Sequence, residues 1–278
     1  NFNENYQLFI KCGKAKFNIA AKPTDEFPYL PQIVKEKHVE ISQFTLKDII
    51  RQTVFSISDN ENTKVMTGEL FEITDNKLKV VSLDGHRISI RNVELNNSYD
   101  NISVIIPGKT LIEINKILNG GVDDIVKIYF TDKHILFEFE NTVVLSRLIE
   151  GEYYKIDKML SSDYETKITV NKKEMLDSID RTTLLMKESE KKPVIIDIKD
   201  NSMGLAMNSS IGSMDEEIDA VKEGKDILIG FNPRFLIDAL RVIDDEEITL
   251  YMINPKAPCF IRDKDESYIY LILPVNFN

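Results

Sequence analysis

The chain has 278 residues, of which 42% are hydrophobic and 29% charged, with a net charge of −11. This is the composition of a globular protein of about two domains, not of a disordered chain, a collagen-like repeat or a disulfide-stapled miniprotein. No apolar run approaches the ~20 residues of a membrane-spanning helix, and the acidic balance taken alone argues against a nucleic-acid partner.

The start, Asn1-Phe2-Asn3-Glu4-Asn5, lacks the basic and apolar regions of a signal peptide and lacks an initiator Met, so the chain is expected to begin inside a longer protein. Cys12 and Cys259 stand almost a chain length apart with no C-x-x-C, which suits a reducing cytoplasm and offers neither a zinc site nor a redox pair. Short runs rich in β-branched and aromatic residues read as strands: 77–82, 126–130, 135–139, 194–198, 248–252 and 269–273. Asp75-Asn76, Asn119-Gly120-Gly121, Asp132-Lys133 and Asp200-Asn201 supply turns. Helical spacing interrupts the strands at Thr45–Ile57, with a Thr cap, at Pro107–Leu118, at Asn171–Met186, with an Asn cap, and at Asn232–Ile243, with Asn as cap and Pro233 in the first turn.

These helices repeat. Lys109, Glu113 and Lys116 match Arg234, Asp238 and Arg241 at an offset of 125, and Thr45, Lys47 and Asp48 match Asn171, Lys173 and Glu174 at 126. Leu78 and Val80 match Met203 and Leu205 at 125. A period this long implies two similar domains and not a solenoid. A third copy survives as a stub, because Phe17–Pro28 resembles Val143–Tyr154 at the same spacing of 126. The expected organisation is residues 1–30 as the last strands of a preceding domain, 31–155 as a middle domain and 156–278 as a C-terminal domain, with linkers near 30–39 and 153–163. The fold class is α+β, each repeat carrying two helices and antiparallel sheets.

The repeated helices, with Lys187 beside the third, hold ten basic residues against six acidic ones, so the rest of the chain carries about −15. Cations at equivalent points of each repeat suit sequence-independent contact with phosphates, although solvated helix faces give the same pattern. The candidates are Lys47, Arg51, Lys109, Lys116, Lys172, Lys173, Arg181, Arg234 and Arg241.

Four segments carry a family resemblance. Val81-Ser-Leu-Asp-Gly-His-Arg-Ile88 is similar to the Asp-Gly-His-Arg signature of the bacterial β sliding clamps, the processivity subunits of replicative DNA polymerase. Leu148–Tyr154 resembles that family's interdomain linker, Ile229–Leu240 the start of the second helix of its last domain, and Tyr268–Val275 its C-terminal strand. The matches run in family order over nearly the whole chain. The resemblance implies repeated clamp domains with helices inside and sheets outside, and a head-to-tail homodimeric ring around double-stranded DNA when the protein is full length. It also implies a cytoplasmic, non-catalytic role without membrane or cofactor. A chain with only the stub of its first domain is expected not to close that ring.

The resemblance further implies a pocket that takes short linear motifs of polymerase and clamp-loader subunits. Its walls here would be Met66, Leu83, Gly85, His86, Ile88, Tyr154, Met159, Leu271, Leu273, Pro274, Val275 and Phe277. Tyr154, Leu83 and Asn276 depart from the residues common in the family, which are Pro, Thr and a basic residue. Two other readings stay open at this point. One is a β-rich interaction module that does not touch DNA; the other is a hydrolase using Asp84 and His86, for which neither Ser82 nor Ser89 sits in a nucleophile elbow. No phosphate-binding glycine loop is present, His38 and His134 are isolated, and no metal site is proposed.

Overall fold

The structure is a computed structural model that describes residues 6–26, 33, 35, 37–187, 192–263 and 265–277. It divides into two compact units, Asn1–Glu36 and Lys37–Asn278. Much of the linker expected near 30–39 lies outside the described residues.

In the first unit, β1 (Gln7–Cys12) and β2 (Ala15–Ala20) form an antiparallel hairpin that turns at Gly13, in register from Gln7 opposite Ala20 to Cys12 opposite Ala15. Leu8, Phe9, Ile10, Phe17 and Ile19 of this hairpin are exposed.

The second unit opens with β3 (Val39–Ser42) and α1 (Gln43–Thr53), followed by β4 (Gly68–Leu83), β5 (Arg87–Pro107) and α2 (Gly108–Ile117). Then come β6 (Ile125–Phe130), β7 (His134–Phe139) and β8 (Thr142–Arg147). After residues 148–165 the plan begins again with β9 (Thr166–Asn171), α3 (Lys172–Thr183), β10 (Val194–Lys199), β11 (Ser202–Asn208), β12 (Ser213–Gly224), β13 (Ile227–Phe231) and α4 (Pro233–Val242). It ends with β14 (Glu247–Met252), β15 (Cys259–Arg262) and β16 (Tyr268–Ile272).

All four expected helices form, but α1 ends at Thr53 and not Ile57, α3 ends at Thr183 and not Met186, and the first cap moves. The sequence reading puts the first cap at Thr45; Ser42 is the cap, its Oγ accepting from Thr45 N at 3.0 Å, so the cap lies three residues earlier. Asn171 Oδ1 accepts from Glu174 N at 3.0 Å and Asn232 Oδ1 from Arg234 N at 3.1 Å, as expected of asparagine caps. The expected turn at Asp75-Asn76 is a register break inside β4, whereas Asp200 turns between β10 and β11. Both aspartates take positive φ, +56° and +48°, at positions 125 apart, so the repeat extends to an unusual backbone conformation.

Two sheets result. The four-stranded one runs β3-β6-β7-β8, and the ten-stranded one β13-β10-β11-β12-β9-β14-β15-β16-β5-β4. The second crosses from one repeat to the other where β16 pairs with β5, Tyr268 opposite Arg91 through Ile272 opposite Arg87. Each repeat has its own apolar core, and a third cluster (Leu70, Val81, Leu83, Ile88, Ile90, Ile105, Ile149, Ile156, Phe260, Leu271) lies at this crossing. α1 packs on α2 and α3 on α4, with α1 also touching α4 across the repeats.

Glu69 is 0% exposed, with Thr53 Oγ1 at 3.0 and 3.1 Å from its carboxyl oxygens. Thr53 also reaches Ile49 O at 2.8 Å. The Thr53 hydroxyl thus faces both acceptors, and its hydrogen bond to Glu69 only partly offsets the effect of burial on the carboxyl. Burial pushes the Glu69 carboxyl well above its ordinary value of 4.5. The folded state therefore holds a proton that the unfolded chain releases above its own pKa, and stability falls as pH rises from about 4.5 toward the folded value. Glu69→Gln removes this penalty. Urea denaturation should show the variant gaining stability over the parent between pH 5 and pH 8; a gap that does not widen with pH rejects a protonated Glu69.

Candidate peptide pocket and helix surface

The turn between β4 and β5 sets the site. Asp84 Oδ1 accepts from His86 N at 2.9 Å and Arg87 N at 3.1 Å, and Gly85 takes φ +92°, which favours glycine. Asp84 Oδ2 accepts from Arg87 Nε at 3.0 Å. The Arg87 side chain then donates to Asp238 Oδ2 of α4 and to Phe55 O, each at 2.7 Å. Its guanidinium lies 4.3 Å from the Phe235 ring centroid and 5.4 Å from that of Phe55. Arg87 is 8% exposed, so a nearly buried cation joins the turn to the second repeat. Burial pulls its value down, and Tyr270 with the carboxylates of Asp238 and Asp84 outweighs that and holds it above the ordinary arginine value. His86 is left at the rim, stacked on Phe235 with ring centroids 6.2 Å apart.

The C-terminal segment closes over this turn. Past β16, Leu273 N donates to His86 O at 2.8 Å and Val275 N to Gly230 O at 2.7 Å. The Phe277 ring lies against Gly230, where an added Cβ would sit 2.5 Å from its Cδ1. Met66, Leu83, Gly85, His86, Ile88, Tyr154, Met159, Leu271 and Leu273 line one cavity of about 530 Å³, together with Arg87, Lys158 and Pro258. Pro274 and Val275 line an adjoining cavity of about 360 Å³ with Met186, Asn232, Arg234 and Phe235, and His86 and Leu273 are shared by both. Phe277 lines neither and supports the segment from Gly230. A mostly apolar cleft with a few polar groups at its edge suits a short peptide bearing apolar side chains.

The sequence reading leaves out Arg87, Lys158 and Pro258 in the first cavity and Met186, Lys192, Pro193, Asn232 and Phe235 in the second. Arg87 and Phe235 lie inside the quoted signatures and were within reach; Pro258, in the loop before β15, arrives only through tertiary folding.

The basic helix residues of the expected phosphate-facing set divide into two groups by what they touch. Lys47 Nζ donates to Leu118 O at 2.9 Å, and Lys172 Nζ, 125 residues later, to Ile243 O at 2.6 Å. Both ammonium groups cap the carbonyl end of the neighbouring helix. Arg51 donates to Val242 O at 3.0 Å and pairs with Asp48 at 2.5 Å and Asp244 at 2.7 Å, tying α1 to the end of α4. Arg234 lines the second cavity. These four are engaged in structure or in the pocket.

The others form exposed pairs. Lys109 lies 3.8 Å from Glu61, Lys116 2.7 Å from Glu113, Lys173 2.6 Å from Asp177 and Arg241 3.4 Å from Asp180. Arg181 is held by Glu216, with Nε donating at 2.9 Å. Such surface pairs contribute only about 0–1 kcal/mol.

The Asp84–His86 hydrolase arrangement is not assembled. Asp84 is committed to the turn and to Arg87. Ser82 Oγ donates to Thr53 O at 2.5 Å, Ser89 Oγ shares a hydrogen bond with Ser56 Oγ at 2.7 Å, and both serines are buried. Among the described residues no group of three or more His, Cys, Asp or Glu side chains is placed to hold a metal ion, and no helix is long and apolar enough to cross a membrane.

Comparison with known proteins agrees with this geometry. Residues 40–155 match the family model for the DNA polymerase III β subunit central domain, and residues 157–276 that for its C-terminal domain. A β sliding clamp of Staphylococcus aureus is 34% identical over 276 residues, 98% of this chain and 73% of its own. The crystal structure of a DNA polymerase III β subunit from Eubacterium rectale is 62% identical with a TM-score of 0.94, covering 100% of this chain and 76% of that one. The Bacillus subtilis sliding clamp is 35% identical, also with a TM-score of 0.94, over 100% of this chain and 74% of its own.

Proposed function

This chain belongs to the DNA polymerase III β subunit family, the β sliding clamps, and on that premise we propose that its two adjoining cavities receive short linear motifs of polymerase and clamp-loader subunits. A family of non-catalytic accessory subunits acts by holding partners, and a concave apolar surface is what it needs for that. The observation that carries the reading is the assembly of β4, β5, the 148–160 segment and the C-terminal segment around one cavity of about 530 Å³. Met66 and Met159 line it, and unbranched, polarisable side chains repack around different apolar ligands.

The test is fluorescence polarisation with a labelled pentapeptide of the Gln-Leu-x-Leu-Phe type. Micromolar binding is expected. Met159 is 51% exposed, so Met159→Glu should leave the fold intact and weaken binding at least tenfold. A folded chain that ignores the peptide rejects the reading.

The wider role is to encircle double-stranded DNA without sequence preference, as a head-to-tail homodimer in the full-length protein. The exposed cations Lys109, Lys116, Lys173, Arg181 and Arg241, recurring along the helices of both repeats, support this reading. Each phosphate contact contributes about −0.9 to the slope of log K against log salt. Duplex-binding titrations across salt should therefore show the Lys116→Glu/Arg241→Glu variant losing about two units of slope magnitude. An unchanged slope would favour a clamp-fold protein whose helices do not meet DNA.

A further inference from the structure

Tyr154, 45% exposed, forms a wall shared by two hollows. One is the apolar cavity beside His86. The other, of about 510 Å³, lies between residues 148–157 and strands β4 and β5, and its lining is of a different kind. Ile105 and Ile149 are buried apolar residues in it, joined by a backbone bond from Ile149 N to Ile105 O at 2.9 Å. Asp132, Glu150 and Glu152 line it as exposed residues, and none of them forms an ion pair with another described residue. Lys79 is already held there, 3.3 Å from Asp157 and 3.9 Å from Glu72. Lys155 is the other cation lining the hollow, so carboxylates outnumber ammonium groups five to two.

We propose that this hollow extends the peptide site and receives basic side chains on one flank of the apolar motif. The inference rests on the peptide-pocket reading, because the hollow adjoins that pocket through Tyr154. A lysine or arginine fits both halves of the lining: its methylene stem lies on Ile105 and Ile149, and its charged end meets Asp132, Glu150 and Glu152. An acidic flank meets unpaired like charge and is disfavoured. Partners that share an apolar core are thereby ranked by the charge beside it.

The experiment compares five peptides on the intact chain at low salt: the apolar pentapeptide alone, the same core with two arginines on its N-terminal side or on its C-terminal side, and the same core with two glutamates on either side in turn. One arginine-flanked peptide is expected to bind about 3–10-fold tighter than the core, an advantage that shrinks as salt rises. Glu150→Lys/Glu152→Lys should abolish that advantage and leave binding of the bare core unchanged. Because the chain carries −11 overall, any cationic peptide feels a general attraction. Glu217→Lys/Asp219→Lys, which reverses the same amount of charge outside this hollow, should keep the advantage. Equal gains on both flanks, a gain that survives in the 150/152 variant, or equal loss in both variants overturns the proposal. Failure of the bare core to bind overturns the pocket reading itself, and core binding indifferent to the flanks overturns this inference alone.

Discussion

Replacing Arg87 with alanine is expected to destabilise the 37–278 unit by about 3–5 kcal/mol, the cost of leaving buried ionic partners uncompensated. The magnitude follows from position. The Arg87 side chain is 9% exposed and its partner Asp84 14%, so solvent screens that pair weakly, while Asp238 at 36% contributes less. The guanidinium also satisfies Phe55 O and lies over the rings of Phe55 and Phe235, contacts that an alanine removes together. Lysine restores one charge but not the planar fork that reaches Asp84, Asp238 and Phe55 O at once, so Arg87→Lys should recover less than half of the loss.

Thermal denaturation should report Arg87→Ala as a fall on the order of 10 °C, given roughly 2–4 °C per kcal/mol for a unit of this size. Asp238→Asn should cost distinctly less. A change below about 1 kcal/mol for Arg87→Ala would mean that the β16–β5 pairing and the apolar cluster beneath it hold the two repeats without this cation. Peptide binding should weaken in step with stability, because the residue beside Arg87 presents both the His86 ring and the carbonyl that anchors Leu273.

What was legible in the sequence was local or repeated. Asn171 and Asn232 announce their helices because a cap needs only residues two or three positions away. The 125-residue offset survives even in the positive φ of Asp75 and Asp200. The strand residues of the larger apolar cavity are named only through family signatures, since Leu83, Ile88 and Leu271 differ in no way from ordinary core residues by pattern alone.

What each cation touches is not legible in the sequence, for a definite reason. Counting charge by residue type ignores backbone carbonyls and carboxylates brought close by folding. The sequence offset of 126 matches Lys47 with Lys173, whereas the bond to the neighbouring helix end repeats at 125, from Lys47 to Leu118 O and from Lys172 to Ile243 O, which no residue pattern displays. Arg51 likewise finds two of its acceptors, Val242 and Asp244, in the other repeat. The same blindness hid Pro258 and the hollow behind Tyr154, because both depend on where residues 148–160 lie on the sheet.

Leu273→Asp is expected to weaken binding of the apolar pentapeptide at least 30-fold, about 2 kcal/mol, with little effect on folding. Leu273 is the side chain that belongs to both cavities with His86, so a carboxylate there places charge where the two apolar walls meet. It follows the last strand and is 37% exposed, so in the free protein an aspartate keeps much of its hydration. Its structural anchor is the backbone bond from Leu273 N to His86 O, which any residue but proline preserves. Leu271, two residues earlier, makes the contrast: it is 3% exposed within β16 and the shared apolar cluster, so Leu271→Asp should lose the fold and the peptide together. Calorimetric titration beside a melting curve separates the two variants. Loss of peptide with an unchanged melting point at 273 assigns recognition to the meeting point of the cavities. Retained affinity there would place the peptide's apolar anchors wholly on the Met66, Met159 and Tyr154 side.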